Sequence, residues 1–553
     1  MTVLPEQRPQ DDGLAYDSRA GRWTLAATVL GSAIVAIDAT VVGVALPTIG
    51  RDFGTPIETL QWVVTAYTLT LAGLLLVAGS LGDRLGRRRI FLVGVAWFTG
   101  ASLLCGLAPS AGLLIAARAL QGVGAALLTP GSLAILQASF RPQDRARSIG
   151  AWSGLGGVAT AAGPFLGGWL VQAGSWRYIF AINVPVAAAV LVAARQVPES
   201  RADDAAGPLD VVGAVLVTLG LVGLTYGLIE GPSTGWRAVP VVVALAAGVV
   251  LLVAFVAWEA RYPAPMLPLT MFASRQFSAT NAVTFVVYGA LGGALFLLPI
   301  QLQQVAGYSP LAAGVALLPI TVIMLLLSPR SGALAARIGP RLQMSVGPII
   351  VGIGLGMFVL VGPESGYVTR VLPAVVVFGL GLSVTVAPLT ATALSSAPAE
   401  HSGMASAVNN DVARAAGLIA VAVLPAAAGI TGDAYLAPAQ FSRGFQTAVL
   451  IAGGLCIAGG LLAAVTITNA RRAEPARVAG VQAEPRPGRP IATEPAAVQP
   501  PAGQPPVTEP AAVQPAAAGD GVADALRYCV LDAQPVSPPV RTSAVADPGS
   551  ADS

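Results

Sequence analysis

Asp38 lies inside an apolar run that extends from Trp23 to Pro47, and it is the one charged residue in that run. A carboxylate placed in hydrocarbon is costly and by default marks function. About nine residues separate it from Pro47, which puts it ~13 Å from that end of the run at 1.5 Å per helical residue. Arg118 lies about seven residues into another such run, ~11 Å deep from the same side. The matching depths predict that the two share a polar cavity. A deprotonated acid beside an arginine gains an ion-pair partner, and protonation releases it. Such a pair can couple a proton to a conformational switch. The structural alternative is a permanent pair that holds two helices together.

Two other groups of residues could do chemistry. Asp411 and Arg414 are spaced i, i+3, on one face of a helix, and Asn409 and Asn410 precede them. Either Asp411 neutralises Arg414 locally, or Asn410, Asp411 and Arg414 form a second proton or cation site. The segment from Gly79 to Arg89 sets Asp83 and Arg84 between Gly79 and Gly86, with Arg87 directly after the second glycine. Its glycines allow a tight turn. Asp83 can accept hydrogen bonds from a neighbouring helix N-terminus or pair with an arginine there, while Arg88 and Arg89 read as topology determinants. Gly154, Gly163, Gly167 and Gly168 present backbone to which another helix can lie close, and Pro164 removes a backbone donor and can bend its helix. Trp62, Tyr67, Gln121, Tyr288, Gln301 and Gln303 could line a substrate path or anchor span ends at the membrane interface. Cys105, Cys456 and Cys529 have no metal or disulfide spacing, and the single His401 excludes a multi-histidine metal site. No phosphate loop or nucleophile constellation is present, so no enzyme, metal or organic cofactor is expected.

The elements that must position these residues are membrane-spanning helices. Of the 553 residues, 55% are hydrophobic and 11% charged, against about 25% charged in soluble domains. Fourteen apolar stretches approach the ~20 residues needed to cross a bilayer. They cover roughly 23–47, 61–81, 90–108, 111–137, 149–172, 178–195, 209–229, 238–257, 277–302, 311–328, 342–361, 368–394, 404–429 and 446–467. Residues 1–22 are polar, and the first run is too long for a signal-peptide core, so it reads as a retained span. All the basic side chains are arginine. With the N-terminus in the cytoplasm, cytoplasmic loops receive about three times as many arginines as the outer ones, as the positive-inside rule requires. An even span count returns the C-terminus to the cytoplasm. The Pro- and Ala-rich tail after residue 470 cannot bury enough surface to fold and is expected to be disordered.

The chain also carries an internal repeat. Gly79-Ser-Leu-Gly-Asp-Arg-Leu-Gly-Arg-Arg88 recurs as Gly332-Ala-Leu-Ala-Ala-Arg-Ile-Gly-Pro-Arg341, a shift of 253, with Ala336 in place of Asp83. Near that shift Gly122-Val-Gly124 meets Gly379-Leu-Gly381. The Gly79–Arg88 and Gly332–Arg341 copies are read as lying in loops, and the two Gly-x-Gly segments as lying within spans. Two related six-span halves then flank a central pair that is expected to be peripheral, and repeats of this kind typify secondary transporters. The organisation is a cytoplasmic segment 1–22, a first half 23–195, two extra spans in 196–262, a second half 263–470 and the tail 471–553.

Together these stretches are similar to a known family. Gly79–Arg89 resembles motif A of the major facilitator superfamily, and the six-two-six layout resembles its fourteen-span drug:proton antiporter branch. Ile37-Asp38-Ala-Thr40 through Pro47 is similar to that branch's first-span motif, with Gly43 where Asn is usual. Arg118-Ala-Leu-Gln121-Gly122-Val-Gly124 resembles motif B, and Gly154 through Gly163-Pro164-Phe-Leu-Gly167-Gly168 resembles motif C, the antiporter motif. Trp176-Arg177 through Asn183-Val-Pro185 is also typical of the branch. The resemblance covers about residues 20–470, and the motifs occur in the right order on the right spans. It implies an all-α polytopic membrane protein of the major facilitator fold. Motif A would be a latch between conformations, asymmetric because the second copy lacks its aspartate, and motif C would go with export. The expected function is export of small organic compounds, amphipathic or cationic, from a monomer in the plasma membrane. Protons supply the energy, and no nucleic acid takes part. A metabolite facilitator or importer of the same fold is the alternative, and a membrane sensor that uses the tail as its partner-binding arm is a third reading.

Overall fold

The computed structural model describes residues 13–201, 209–397 and 402–469, giving only the backbone for residues 402 and 403. The expectations for the tail, for residues 1–12 and for His401 lie outside the described residues. Among the described residues, fourteen helices are long and apolar enough to cross a membrane. They are α1 (Arg19–Phe53), α2 (Ile57–Leu85), α3 (Arg87–Gly106), α4 (Ala111–Ser139), α5 (Pro142–Ala173), α6 (Tyr178–Gln196) and α7 (Val211–Thr234). After these come α8 (Val239–Glu259), α9 (Arg275–Val305), α10 (Pro310–Ile338), α11 (Arg341–Leu360), α12 (Tyr367–Ser395), α13 (Met404–Ala427) and α14 (Pro438–Thr466). Short polar residues start several of them. Ser18, Ser110, Asp210, Ser274 and Ser309 each accept a hydrogen bond from a first-turn N–H, which satisfies a backbone donor that a helix end leaves free. Gly54 ends α1 in the left-handed region, at φ 57°.

Several helices run past the apolar stretches that mark them. The clearest case is motif A, expected in a loop. Gly79–Leu85 instead form the last turns of α2, Gly86 alone makes the turn at φ 113°, and α3 starts at Arg87. The repeat copy is alike: α10 continues to Ile338, and Gly339 turns at φ 89°. Polar side chains at the end of a span extend the helix into the interface, where backbone hydrogen bonds still favour it.

Helices α1–α6 pack as one group and α9–α14 as another. The groups meet along three seams: α1 with α9, α2 with α13, and α5 with α10. Helix α8 packs mainly on α7 and is little enclosed, in keeping with a peripheral position. Helix α7 departs from that expectation by lying against both α2 and α13. Leu69, Leu221 and Leu418 form one apolar cluster across the three helices, and Trp62 Nε1 donates to Glu230 of α7 at 2.9 Å. Helix α7 therefore covers one seam between the groups.

The arginine-rich end, where α1 starts and α14 finishes, is called the basic end below. The groups are joined at the opposite end. Gln303 Nε2 donates to the Val44 carbonyl at 2.8 Å, and Gln61 Nε2 to the Val421 carbonyl at 2.6 Å. Glu58 accepts from the Gly432 N–H at 2.9 Å, and the Tyr435 hydroxyl donates to the Thr55 carbonyl at 2.6 Å. Toward the basic end α5 stands clear: a Cβ at Gly150, Gly154, Gly156 or Gly157 would meet nothing within 4 Å.

Candidate functional site

Five helices build a sealed polar cluster around Asp38. Arg118 Nη1 donates to Asp38 Oδ2 at 2.6 Å and to Gln121 Oε1 at 2.6 Å. Gln121, one turn on from Arg118 in α4, donates its amide to Asp38 Oδ1 at 2.8 Å and to Ser102 Oγ of α3 at 2.8 Å. Asn183 of α6 donates to the same hydroxyl at 3.1 Å. From α2, the Val63 carbonyl accepts from Arg118 Nε at 3.1 Å, and the Tyr67 ring lies 4.2 Å from the guanidinium carbon. Gln121 has an acceptor on one side and a donor on the other, which fixes the orientation of its amide. Asp38 is 0% exposed and Arg118 2%, so the pair is held by its bonds and not by solvent.

The expected pairing of Asp38 with Arg118 is present, but the shared cavity is not. The central cavity, between the two helix groups, is lined by Arg118, Tyr67, Thr65 and Thr68 from the first group and by Phe296 and Arg414 from the second. Asp38 lies behind Arg118. Of the expected path residues only Tyr67 reaches the cavity. Gln121 belongs to the buried cluster, Trp62 bonds α7, and Gln301 donates to the Val361 carbonyl at 2.7 Å. Tyr288 packs at the edge of the apolar core. Arg118→Ala should leave Asp38 buried without its counter-charge, a loss of about 3–5 kcal/mol. Thermal unfolding in detergent should therefore show a larger fall for Arg118→Ala than for Asp38→Asn.

The second polar group divides. Arg414 lines the cavity, whereas Asp411, half-buried, does not. No ion pair within 4 Å joins them, and Asp411 Oδ1 and Arg414 Nε are both buried without a hydrogen-bond partner. Sharing a helix face permits this pair but does not form it. Asn410 is exposed and donates back to the Ser406 carbonyl of its own helix at 2.9 Å. It is Asn409 that joins α13 to α9, through Asn281 at 3.0 Å and Thr284 at 2.8 Å.

At motif A, Asp83 pairs across the turn with Arg87 at 2.9 Å, and Arg84 stands in the last turn of α2. Gly79 lies in ordinary contact with Pro130 of α4, 3.6 Å from a Cβ built there. Glu199, just past α6, carries no signal in the sequence that ties it to motif A. It accepts from the Arg88 N–H at 3.1 Å, and a Cβ on Gly86 would stand 2.7 Å from its carboxylate. Asn469 repeats this arrangement after α14 by accepting from the Arg341 N–H at 3.1 Å.

Motif C also divides. Gly163 and Gly167 face Thr40 and Val41 of α1, and Gly168 faces Pro310 and Leu311 at the start of α10. Gly314 of α10 faces the Pro164 carbonyl in return. Gly154, expected to pack like the others, meets open space, because it lies on the part of α5 that stands clear.

Residues 28–422 match the family model described as Major Facilitator Superfamily. The chain is 38% identical over 389 residues to the multidrug resistance protein Stp of Mycobacterium tuberculosis, covering 70% of this chain and 72% of the relative. It is 37% identical over 426 residues to the tetracenomycin C resistance and export protein of Streptomyces glaucescens, covering 76% and 79%. The puromycin resistance protein pur8 of Streptomyces alboniger is 36% identical over 484 residues, covering 85% and 95%. In fold, the chain is similar to a peptide transporter POT crystallised with sulfate, with a TM-score of 0.59 at 14% identity, covering 82% of this chain and 96% of that one.

Proposed function

The chain belongs to the Major Facilitator Superfamily, and we propose that it exports small organic compounds across the plasma membrane in exchange for protons. The observation that carries this reading is the buried Asp38–Arg118 pair in the wall of a cavity between two helix groups. Relatives that are multidrug and antibiotic resistance or export proteins support the direction and the kind of cargo. The basic end is cytoplasmic by the positive-inside rule, so both ends of the fourteen-helix unit face the cytoplasm and the joined end faces outward. In this inward-open state Asp38 has given up its proton and holds Arg118. A proton from outside, reaching Asp38 in the outward-open state, weakens that hold and favours the return inward. The proton gradient is the energy source. The chain works as a monomer without cofactor or nucleotide and catalyses no covalent reaction.

The test takes a compound to which the chain confers resistance in a pump-deficient host. Inverted membrane vesicles should accumulate it when their lumen is acidic, and a protonophore should abolish the uptake. Accumulation in right-side-out vesicles instead, or indifference to the protonophore, overturns the reading.

A further inference from the structure

The cavity wall says which charge the cargo carries. This step rests on the reading above, that the central cavity is the substrate site. We propose that the cavity binds organic anions and that Arg414 takes their acidic oxygen.

The cavity measures about 260 Å³, near the lower end of the range for small-molecule sites. Leu295, Phe296, Leu418 and Val421 give it an apolar wall. Among the described residues, two charged side chains reach it, both are arginines, and no carboxylate lines it. The balancing acids lie elsewhere. Asp38 is fully buried, with one oxygen on Arg118 and the other on Gln121. Asp411 lies about one helical turn from Arg414 toward the basic end and does not line the cavity.

The two arginines differ in what remains free. Arg118 is committed to Asp38, Gln121 and the Val63 carbonyl, with Tyr67 over its face. Among the described residues Arg414 has no ion pair within 4 Å, and its Nε has no acceptor. A buried donor left unmade is costly, and a group that satisfies it recovers that cost on binding. A carboxylate suits a guanidinium best, because two parallel N–H bonds meet its two oxygens. An organic cation would face two guanidinium groups with no carboxylate turned toward it, a repulsion strengthened away from water. The wall therefore supports the amphipathic part of the expected cargo and opposes the cationic part.

The experiment measures binding of three fluorescent probes to the full-length chain in lipid nanodiscs at neutral pH, with empty nanodiscs as the blank. The probes are pyrenebutyric acid, its methyl ester and pyrenebutylamine. The acid is expected to bind at least about tenfold tighter than the amine, the scale of one charge-assisted hydrogen bond. Arg414→Gln should lower acid affinity by a similar factor, leave the ester and the thermal midpoint unchanged, and be partly rescued by Arg414→Lys. Equal or tighter binding of the amine, unchanged acid affinity in Arg414→Gln, or no saturable acid binding overturns the proposal. Export is read separately in inverted vesicles: a chain that binds the acid without moving it refutes the exporter and leaves the anion site standing.

Discussion

Asp38→Asn is expected to remove the coupling of cargo to protons while leaving a folded chain. For an exporter that exchanges one proton per cargo molecule, in vesicles whose membrane potential is clamped at zero, each unit of pH difference sustains about a tenfold cargo gradient, since one pH unit is worth about 1.36 kcal/mol. The parent chain in proteoliposomes should follow that slope, and Asp38→Asn should give a gradient near unity at every imposed pH difference. The fold survives because the amide nearly matches the carboxylate in shape and Arg118 keeps three other holds. These are the Val63 carbonyl at 3.1 Å, the Gln121 oxygen at 2.6 Å and the Tyr67 ring. The asparagine stands in for a permanently protonated acid, so exchange of cargo across the membrane without a gradient should persist. That persistence separates lost coupling from lost structure. If Asp38→Asn still accumulates cargo in proportion to the pH difference, Asp38 carries no proton and the pair is structural.

The parts of this architecture that were legible in the sequence are those that hydrocarbon makes expensive. Span number follows because only a helix of about twenty residues satisfies its own backbone across the bilayer. Asp38 and Arg118 stand out for the same reason, since neither charge is tolerated there without a partner. Most of what is not legible in the sequence is made of neutral groups. Ser102 completes the cluster with Asn183, which only the family resemblance marks, because a serine or asparagine in a span is too common to mark a site by itself. The latches at the joined end use main-chain groups, as where Gln61 and Gln303 donate to carbonyls, and a carbonyl leaves no residue pattern. Glu199 and Asn469 brace the two glycine turns from far along the chain, where local reading cannot pair them. Asp411 and Arg414 are the converse case, in which one of the two readings, the local pair, is not formed. Helical spacing brings two side chains to one face, but whether they meet depends on packing against other helices.

Gly168→Val is expected to drive the protein out of the conformation described here. A Cβ at Gly168 would overlap the Pro310 carbonyl and stand 2.7 Å from the Leu311 Cα. Both are backbone atoms of the facing helix, so no side chain can swing aside. The overlap exists only while α5 and α10 cross closely at the joined end, and separating them there relieves it. Overpacking of this kind costs about 1–3 kcal/mol, which shifts a two-state equilibrium by about 5- to 150-fold. Spin labels at Arg51 of α1 and Ala439 of α14, in a chain whose cysteines are replaced, report that end. Their distance distribution should gain a long component in Gly168→Val. Gly154→Val supplies the opposite sign. A side chain there meets open space in the present state, so nothing penalises it. It should resist closure of the basic end, where α5 must come against its neighbours, and should leave the labels at the short distance. The two variants lie on one helix and make the same chemical change, so generic damage to α5 would move both in the same direction. Opposite shifts require that the glycines of α5 serve different states: Gly168 in sealing the outer end, and Gly154 in making room for the inner end to close.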